Sequence, residues 1–411
     1  MKSTAAAATA LSLLLLVPAP ARAGPLPEAA PAAVGLSGER LDRIGVAIGG
    51  EIAAGKIPGA VAAVARHGKI AYFKSFGLRD KAAGAPMGTD SIFRIYSMTK
   101  PIVSVAAMIL HEEGRLLLSD PIVKHLPAFA DMTVGVDPSV AAEKPITVQD
   151  LLRHTSGLTY GAFGRSPVKA RYKASGLRQL APDMDNTQLA EALSNLPLAY
   201  QPGTLWEYGR SADLLGHLIE VVSGQSLDGF LTSTVLVPLA MDDTGFHVPP
   251  AAQDRVAEPQ AEAGAPVLID VTRPPKLQAG GHGLVSTVGD YLRFCQMMLN
   301  GGVLDGVRIL SPKTVAYMTA NHLGPKISRD GPAYLPGPGY GFGLGFAVRE
   351  AAGESAWPGS VGEYFWGGYA GTYFWIDPAE QLVAVYMMQS VSQRVRLRML
   401  MRNLVYQAVI D

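Results

Sequence analysis

A serine and a lysine three residues apart, Ser97-Met98-Thr99-Lys100, stand at the head of an apolar stretch running from Ile102 to Leu110. On a helix, positions three apart share one face, so this spacing sets an amine beside a hydroxyl. The start of such a helix also offers unpaired backbone N–H groups and a partial positive charge, which suit an oxyanion forming on a substrate. Pro101 falls in or next to the first turn, where its missing N–H costs least. The chemistry permitted is nucleophilic attack by Ser97, with Lys100 accepting its proton. That use makes a demand: a lysine of ordinary pKa must fall by about 3 units, roughly 4–5 kcal/mol, to be half neutral at pH 7. Burial in the apolar helix is the expected source of the fall, helped by a nearby phenol or second cation.

The same four-residue pattern recurs as Ser166-Pro167-Val168-Lys169, but with proline inside it, no apolar helix after it, and Gly, Arg and Lys around it. It reads as a loop, and the first copy is favoured as the nucleophile. Two further pieces give that copy company. Tyr208, in Trp206-Glu207-Tyr208-Gly209-Arg210-Ser211, sits where a loop enters the helix Ser211 to Ser223, and can share the proton traffic of Ser97 and Lys100. Trp366-Gly367-Gly368-Tyr369 lies in an aromatic strand whose paired glycines leave backbone bare for a substrate. A backbone N–H there supplies a second oxyanion donor, worth ~10²–10³ in rate. Taken singly, these are a helix cap, a half-buried tyrosine and a β-bulge; together they describe acyl transfer.

In this order the three pieces resemble the serine β-lactamase and penicillin-binding family, and most closely its class C-like carboxylesterases, the family VIII esterases. The likeness extends over nearly all of the mature chain. It runs from Ile57-Pro58-Gly59-Ala60 through Leu151-Leu152-Arg153-His154-Thr155-Ser156-Gly157-Leu158 and Gly283-Leu284-Val285-Ser286-Thr287 to Leu404-Val405-Tyr406-Gln407. The resemblance implies Ser97 as nucleophile, Lys100 as its activating partner, Tyr208 as proton shuttle, and the backbone N–H groups of Ser97 and Tyr369 as the oxyanion hole. Trp366, Gly367 and Gly368 occupy the place of the β-lactamase Lys-Thr-Gly strand and are expected to bind substrate. Arg210 stands where β-lactamases carry an asparagine, and Trp366 where they carry a cation; both departures favour neutral acyl esters over lactams. His282, in Gly280-Gly281-His282-Gly283, replaces the small residue usual in the family, a departure that bears on the local loop geometry more than on the chemistry.

Other chemistries fit less well. His154, His217 and His282 are the candidate bases for a Ser-His-Asp hydrolase, but the chain contains no G-x-S-x-G elbow. The eight histidines are scattered and His111-Glu112-Glu113 lacks zinc spacing, so neither a metal nor another cofactor is expected. β-Lactamase or D-Ala-peptidase activity, acyl transfer to an alcohol or amine, and a non-catalytic β-lactam sensor are the alternatives that share an acyl-enzyme.

The elements that must position these residues follow a two-ended pattern. Ser37 caps a helix from Glu39 to Ala54 that Gly55 ends, and Ala60–Ala65 and Ile70–Phe76 form a hairpin. Helical pattern then dominates from Ser97 to Leu323, at 102–113, 148–153, 186–196, 211–223 and 289–299. Strands return at 342–348, 373–376 and 382–388, with Asp377-Pro378 turning between the last two, before a helix from Val395 to Ile410. The expected fold is α/β (α+β), serine β-lactamase-like: one antiparallel sheet built from both termini, flanked by helices, with a mainly helical half inserted. Its boundaries are an α/β half at about 35–96 and 330–411 and a helical half at about 97–329, one catalytic domain over 24–411.

Composition agrees with an enzyme on small molecules. The 411 residues are 48% hydrophobic with 35 basic and 35 acidic side chains, which supplies a large core and no basic surface for nucleic acid. Lys2, the Leu-rich run Leu11–Leu16 and Ala21-Arg22-Ala23 form a signal peptide over residues 1–23, so export to the periplasm or medium is expected, without a membrane span afterwards. Cys295, the one cysteine, falls in an amphipathic helical pattern and reads as core.

Overall fold

The structure, a computed structural model, describes residues 24–411 apart from 178–182, 262, 263, 265 and 332. The proposed signal peptide, residues 1–23, lies outside the described residues.

Eight strands form the main sheet. From one edge the order is Tyr340–Phe342, Ala347–Arg349, Tyr364–Gly367, Tyr373–Asp377, Leu382–Met388, Gly59–Arg66, Lys69–Asp80 and Ala85–Pro86. All the neighbouring pairs are antiparallel. The sheet is therefore closed in its middle by strands from opposite ends of the chain, with Ala60 opposite Met388 and Arg66 opposite Leu382. Every residue of those two strands is buried, which is why they read as unbroken runs of Val, Ala and Met rather than as alternating patterns. Helix Val288–Leu299 packs on them from the helical side, carrying buried Cys295. Helices Gly38–Ala53 and Arg394–Tyr406 pack together and against the sheet. Fully burying each Leu, Ile or Val in such layers contributes about 1.5–3 kcal/mol, so the sheet is a rigid base for anything mounted on its edge.

Local signals account for most element ends. The Ser37 side chain accepts from Arg40 N–H at 3.3 Å, and Gly55, at φ +68°, follows the same helix's end. The Asp377 side chain accepts the N–H groups of Ala379 and Glu380 and makes the turn between the last two strands. Two expectations need correction. The single strand expected over 342–348 is a hairpin, Tyr340–Phe342 paired with Ala347–Arg349, because Gly345 at φ +95° turns the chain between them. The region around Ser166 is a helix, Pro167–Ala174, in which Ser166 caps the Lys169 N–H at 3.2 Å and Pro167 begins the first turn.

Between the two sheet-forming segments lies the helical part, with Thr99–Glu112, Asn186–Ser194 and Ser211–Ser223 its longer members before Val288–Leu299. Thr99–Glu112 is buried nearly all round and packs on Ser211–Ser223. Among the described residues no helix is long and apolar enough to cross a membrane.

Candidate active site

Ser97 is placed by a chain of backbone constraints. A two-residue strand, Phe93–Arg94, pairs with Val285–Ser286, and Ile95 N–H donates to Leu284 O at 3.1 Å. Tyr96 then turns into the left-handed region at φ +44°, a conformation that costs about 1–3 kcal/mol for a non-glycine residue and survives only where surroundings enforce it. Here its hydroxyl accepts Ile269 N–H at 3.0 Å and its ring meets Tyr369 edge-on at 5.7 Å. A 3₁₀ turn, Tyr96–Met98, carries half-buried Ser97 and leads directly into helix Thr99–Glu112. The Tyr291 hydroxyl donates to Met98 O at 2.8 Å, and Thr99 Oγ1 accepts Leu284 N–H at 3.1 Å, which fixes the junction.

Lys100 is buried beneath Ser97. Its Nζ donates to Ser97 Oγ at 3.3 Å, to Tyr160 Oη at 3.1 Å and to Gly281 O at 2.7 Å, and lies 4.6 Å from the ring centre of Tyr208. Three acceptors match the three N–H bonds of an ammonium, which has no lone pair. Burial pushes the Lys100 pKa down, but Tyr160, Tyr208 and the Asp213 carboxylate outweigh it and the net displacement is upward. The expected fall is thus reversed: the lysine is enclosed, as its helix implied, but enclosed together with groups that favour its charge.

Asp213 organises this second layer. It is buried on helix Ser211–Ser223, 3.1 Å from Arg210, 3.4 Å from His282, and accepts Gly281 N–H at 2.8 Å. Burial raises its pKa, but Arg210 and His282 more than offset that and hold it well below the usual carboxylate range. Arg210 does not face the cavity; it is fully buried, turns back to Asp213 and to Leu177 O, and lies over the Tyr160 ring at 5.1 Å. The unusual His282 is therefore accommodated beside Asp213, its Nδ1 3.4 Å from the carboxylate, and its loop presents Gly281 O to Lys100.

Tyr208 stands in an aromatic cage. Trp206 stacks on it, His154 and Tyr160 approach at 4.9 and 5.5 Å between ring centres, and Trp366 Nε1–H donates to its hydroxyl at 3.2 Å. Trp366, in the place of a cation, thus serves Tyr208 directly. Ser97, Tyr208, Trp366, Gly367, Gly368 and Tyr369 all line one cavity of about 290 Å³. The Tyr369 N–H makes no hydrogen bond with the described residues and is available to a ligand. Thr372 Oγ1 donates to Ile95 O at 3.2 Å, tying this strand's end to the turn that bears Ser97.

The two glycines also make room for protein groups. A Cβ on Gly367 would stand 2.7 Å from the guanidinium carbon of Arg398, and one on Gly368 would stand 2.1 Å from Thr372 Oγ1 and 2.3 Å from Ile95 O. Protein groups thus occupy the space that a side chain would need at these two positions.

None of the candidate histidines hydrogen-bonds Ser97. His154, at φ +58°, is buried among Trp206, Tyr208 and Phe342, and burial and then Lys100 push its pKa far down, so it is neutral. His217 pairs with Glu220 at 3.1 Å. Lys169 of the second serine–lysine copy is buried in an ion pair with Glu207 at 3.0 Å. Sequence reasoning missed Tyr160, Asp213 and Gly281. Tyr160 follows Leu158 of a motif already singled out by two residues, the one signal that pointed to it.

The chain belongs to the Beta-lactamase family, whose sequence profile matches residues 46–406. It is 32% identical over 325 residues to esterase EstB of Burkholderia gladioli, covering 74% of this chain and 78% of that one. It is 31% identical over 309 residues to the lovastatin esterase of Penicillium rubens, covering 69% and 74%. Among solved structures, EstCE1, described as a hydrolase with promiscuous acyltransferase activity, superposes with a TM-score of 0.75 at 26% identity, covering 90% of this chain and 99% of that one. The fold is the serine β-lactamase and penicillin-binding type, and the protein is a serine hydrolase of a family that includes esterases and acyltransferases.

Proposed function

We propose that this protein is a carboxylesterase that cleaves short-chain esters through an acyl-enzyme on Ser97. The observation that carries the reading is Lys100 Nζ, which reaches Ser97 Oγ at 3.3 Å while Tyr160 and Gly281 O take its other hydrogens. A lysine held as an ammonium orients the serine and balances negative charge; it does not take the proton. We assign that step to Tyr208, which shares the cavity with Ser97, whereas Tyr160 does not line it. We place the Tyr208 proton on Lys100, so that the phenol enters the step as a phenolate beside the Lys100 ammonium and the Trp366 indole N–H, and its oxygen receives the Ser97 proton. Oγ then bonds the carbonyl carbon, and the oxyanion meets the N–H groups of Ser97 and Tyr369. Collapse breaks the ester C–O bond, the leaving oxygen takes the proton from Tyr208, and water repeats the sequence to free the acid. The relatives' esterase names and the loss of the cation at position 366 support esters over lactams.

A panel of p-nitrophenyl esters beside a chromogenic cephalosporin tests this. Ester turnover should be lost in Ser97→Ala, with wild-type enzyme showing an acyl mass on Ser97. Tyr208→Phe should lose at least ~10³-fold in kcat, and Tyr160→Phe about 10–100-fold. Cephalosporin turnover with negligible ester cleavage, or an active Ser97→Ala, refutes the assignment. On residues 1–23 we further propose export, which N-terminal sequencing of the secreted or periplasmic protein checks.

A further inference from the structure

The second serine–lysine copy takes no part in the chemistry described above, yet both of its residues are used. Ser166 caps helix Pro167–Ala174, and in the helix's first turn Lys169 points inward, with only 4% of its side chain exposed. Its Nζ meets both carboxylate oxygens of Glu207, at 3.0 and 3.3 Å, and donates to Phe163 O. Glu207 is as deeply buried, at 3%, and also accepts the Thr159 hydroxyl at 2.6 Å. Well-packed apolar side chains of the same volume serve stability as well as a buried ion pair, so this pair is explained by what it fixes rather than by folding.

What it fixes lies against the active site. Trp206 and Tyr208 stack on one side of their segment, and the carboxylate of Glu207 between them leaves on the other, while its N–H donates to His154 O at 2.9 Å. A Cβ on Gly209 would stand 2.1 Å from Leu158 O, and one on Gly161, at φ +67°, would stand 3.0 Å from Lys169 O. Segment 206–209, loop 158–163 and helix Pro167–Ala174 are therefore layered backbone on backbone at these glycines, and Lys169 joins all three. The loop carries Tyr160, which accepts from Lys100 at 3.1 Å, and Phe163, which lines the cavity 6.1 Å from Tyr208 between ring centres. One ammonium behind the cavity thus ties the segment that bears Tyr208 to the loop that steadies Lys100.

We propose that Lys169, acting through Glu207 and Phe163 O, is a positioning residue for the reaction: it holds the Tyr208 phenol where its proton reaches the leaving oxygen. This deepens the esterase reading and rests on it. As the ester C–O bond breaks, its electron pair passes to the leaving oxygen, which takes the Tyr208 proton. Such transfer tolerates little displacement, about 1 Å being enough to cost about 100-fold. The cost falls on leaving groups that need the proton, and p-nitrophenolate, which departs readily as an anion, needs it less than phenolate does.

The test compares kcat/KM for p-nitrophenyl butyrate and phenyl butyrate, which share an acyl group and differ little in shape, using the full chain. Lys169→Met is paired with the double variant Lys169→Met/Glu207→Gln, which leaves no charge buried alone, keeps a carbonyl acceptor for Thr159, and serves if the single variant does not fold. Each should raise the p-nitrophenyl-to-phenyl ratio by about 10-fold over wild type, and Tyr208→Phe should raise it at least as far. A loss of folded enzyme lowers both rates alike and leaves the ratio where it was. A double variant within about 2-fold of the wild-type ratio, with Tyr208→Phe raising it, overturns the proposal. If Tyr208→Phe leaves the ratio unmoved, the proton role given to Tyr208 fails, and if wild type turns over neither ester, the esterase reading fails. In both cases Lys169 is judged by hydrogen exchange in the double variant. Amides of 159–163 and 206–209 exchanging about 10-fold faster, with helix Thr99–Glu112 unchanged, uphold its hold on these segments; unchanged exchange in them refutes it.

Discussion

Replacing Asp213 by asparagine removes one charge and almost no volume from the layer beneath Lys100. The carboxylate is fully enclosed, 3.1 Å from a fully enclosed Arg210 and 3.4 Å from His282. Breaking a buried pair by removing one partner costs about 3–5 kcal/mol, because the other charge remains without compensation. The hydrogen bond from Gly281 N–H survives, since asparagine presents a carbonyl oxygen at the same place, and so about 1 kcal/mol is retained. Asp213→Asn should therefore lose about 3–4 kcal/mol at pH 7, a large share of the ~5–15 kcal/mol typical of a folded protein. Urea titration followed by tryptophan fluorescence reads this as a lowered midpoint at constant slope. The pH dependence has a definite sign. The folded-state pKa of Asp213 is depressed, so its contribution is fully present above the ordinary carboxylate value near 4 and is lost as pH falls below it. The gap between wild type and variant should shrink by about 1.4 kcal/mol per unit below pH ~4. A gap under ~1 kcal/mol at pH 7, or one that widens on acidification, would show that Arg210 and His282 do not depend on this carboxylate.

Trp366→Phe keeps an aromatic ring beside Phe342 and removes the N–H that meets Tyr208 at 3.2 Å; kcat should fall about 10-fold with stability changed by less than ~1 kcal/mol, measured by steady-state kinetics and thermal melting. Asp290, which accepts from Thr244 and from Asp243 N–H, has its pKa pushed up to about 6 chiefly by burial. A raised acid contributes stability below its unfolded pKa and loses it as pH rises through the folded value, so Asp290→Asn should gain about 1–2 kcal/mol on wild type between pH 4 and 7. A difference independent of pH over that range would rule this out.

What was legible in the sequence was what local geometry decides. Ser97 and Lys100 are neighbours because a helical turn makes them so, and Tyr208 was visible as a phenol at a loop-to-helix junction. The two-ended sheet followed from where the apolar strand patterns fall. The groups brought by tertiary packing were not legible: Tyr160, Asp213 and Gly281 O come from three separate segments, and nothing in their spacing relates them to Lys100. This is why the lysine's burial could be anticipated while the sign of its pKa change could not, since desolvation is a property of its own helix and the counter-charges are not. At 342–348, aromatic and β-branched residues outweighed the Gly-Leu-Gly that bends the chain.

The pairing of Gly59–Arg66 with Leu382–Met388 also governs when this molecule can come into being. At ~5–20 residues per second of synthesis, the early strand waits about 15–60 s for its partner to be made. Contacts that bridge so much intervening polymer delay folding, because the loop must be closed before the contact rewards it. Nearly the entire polypeptide must be present before the platform beneath Ser97 exists, so truncation near the end should leave a nascent hairpin with exposed Val and Ala edges in place of a weakened enzyme.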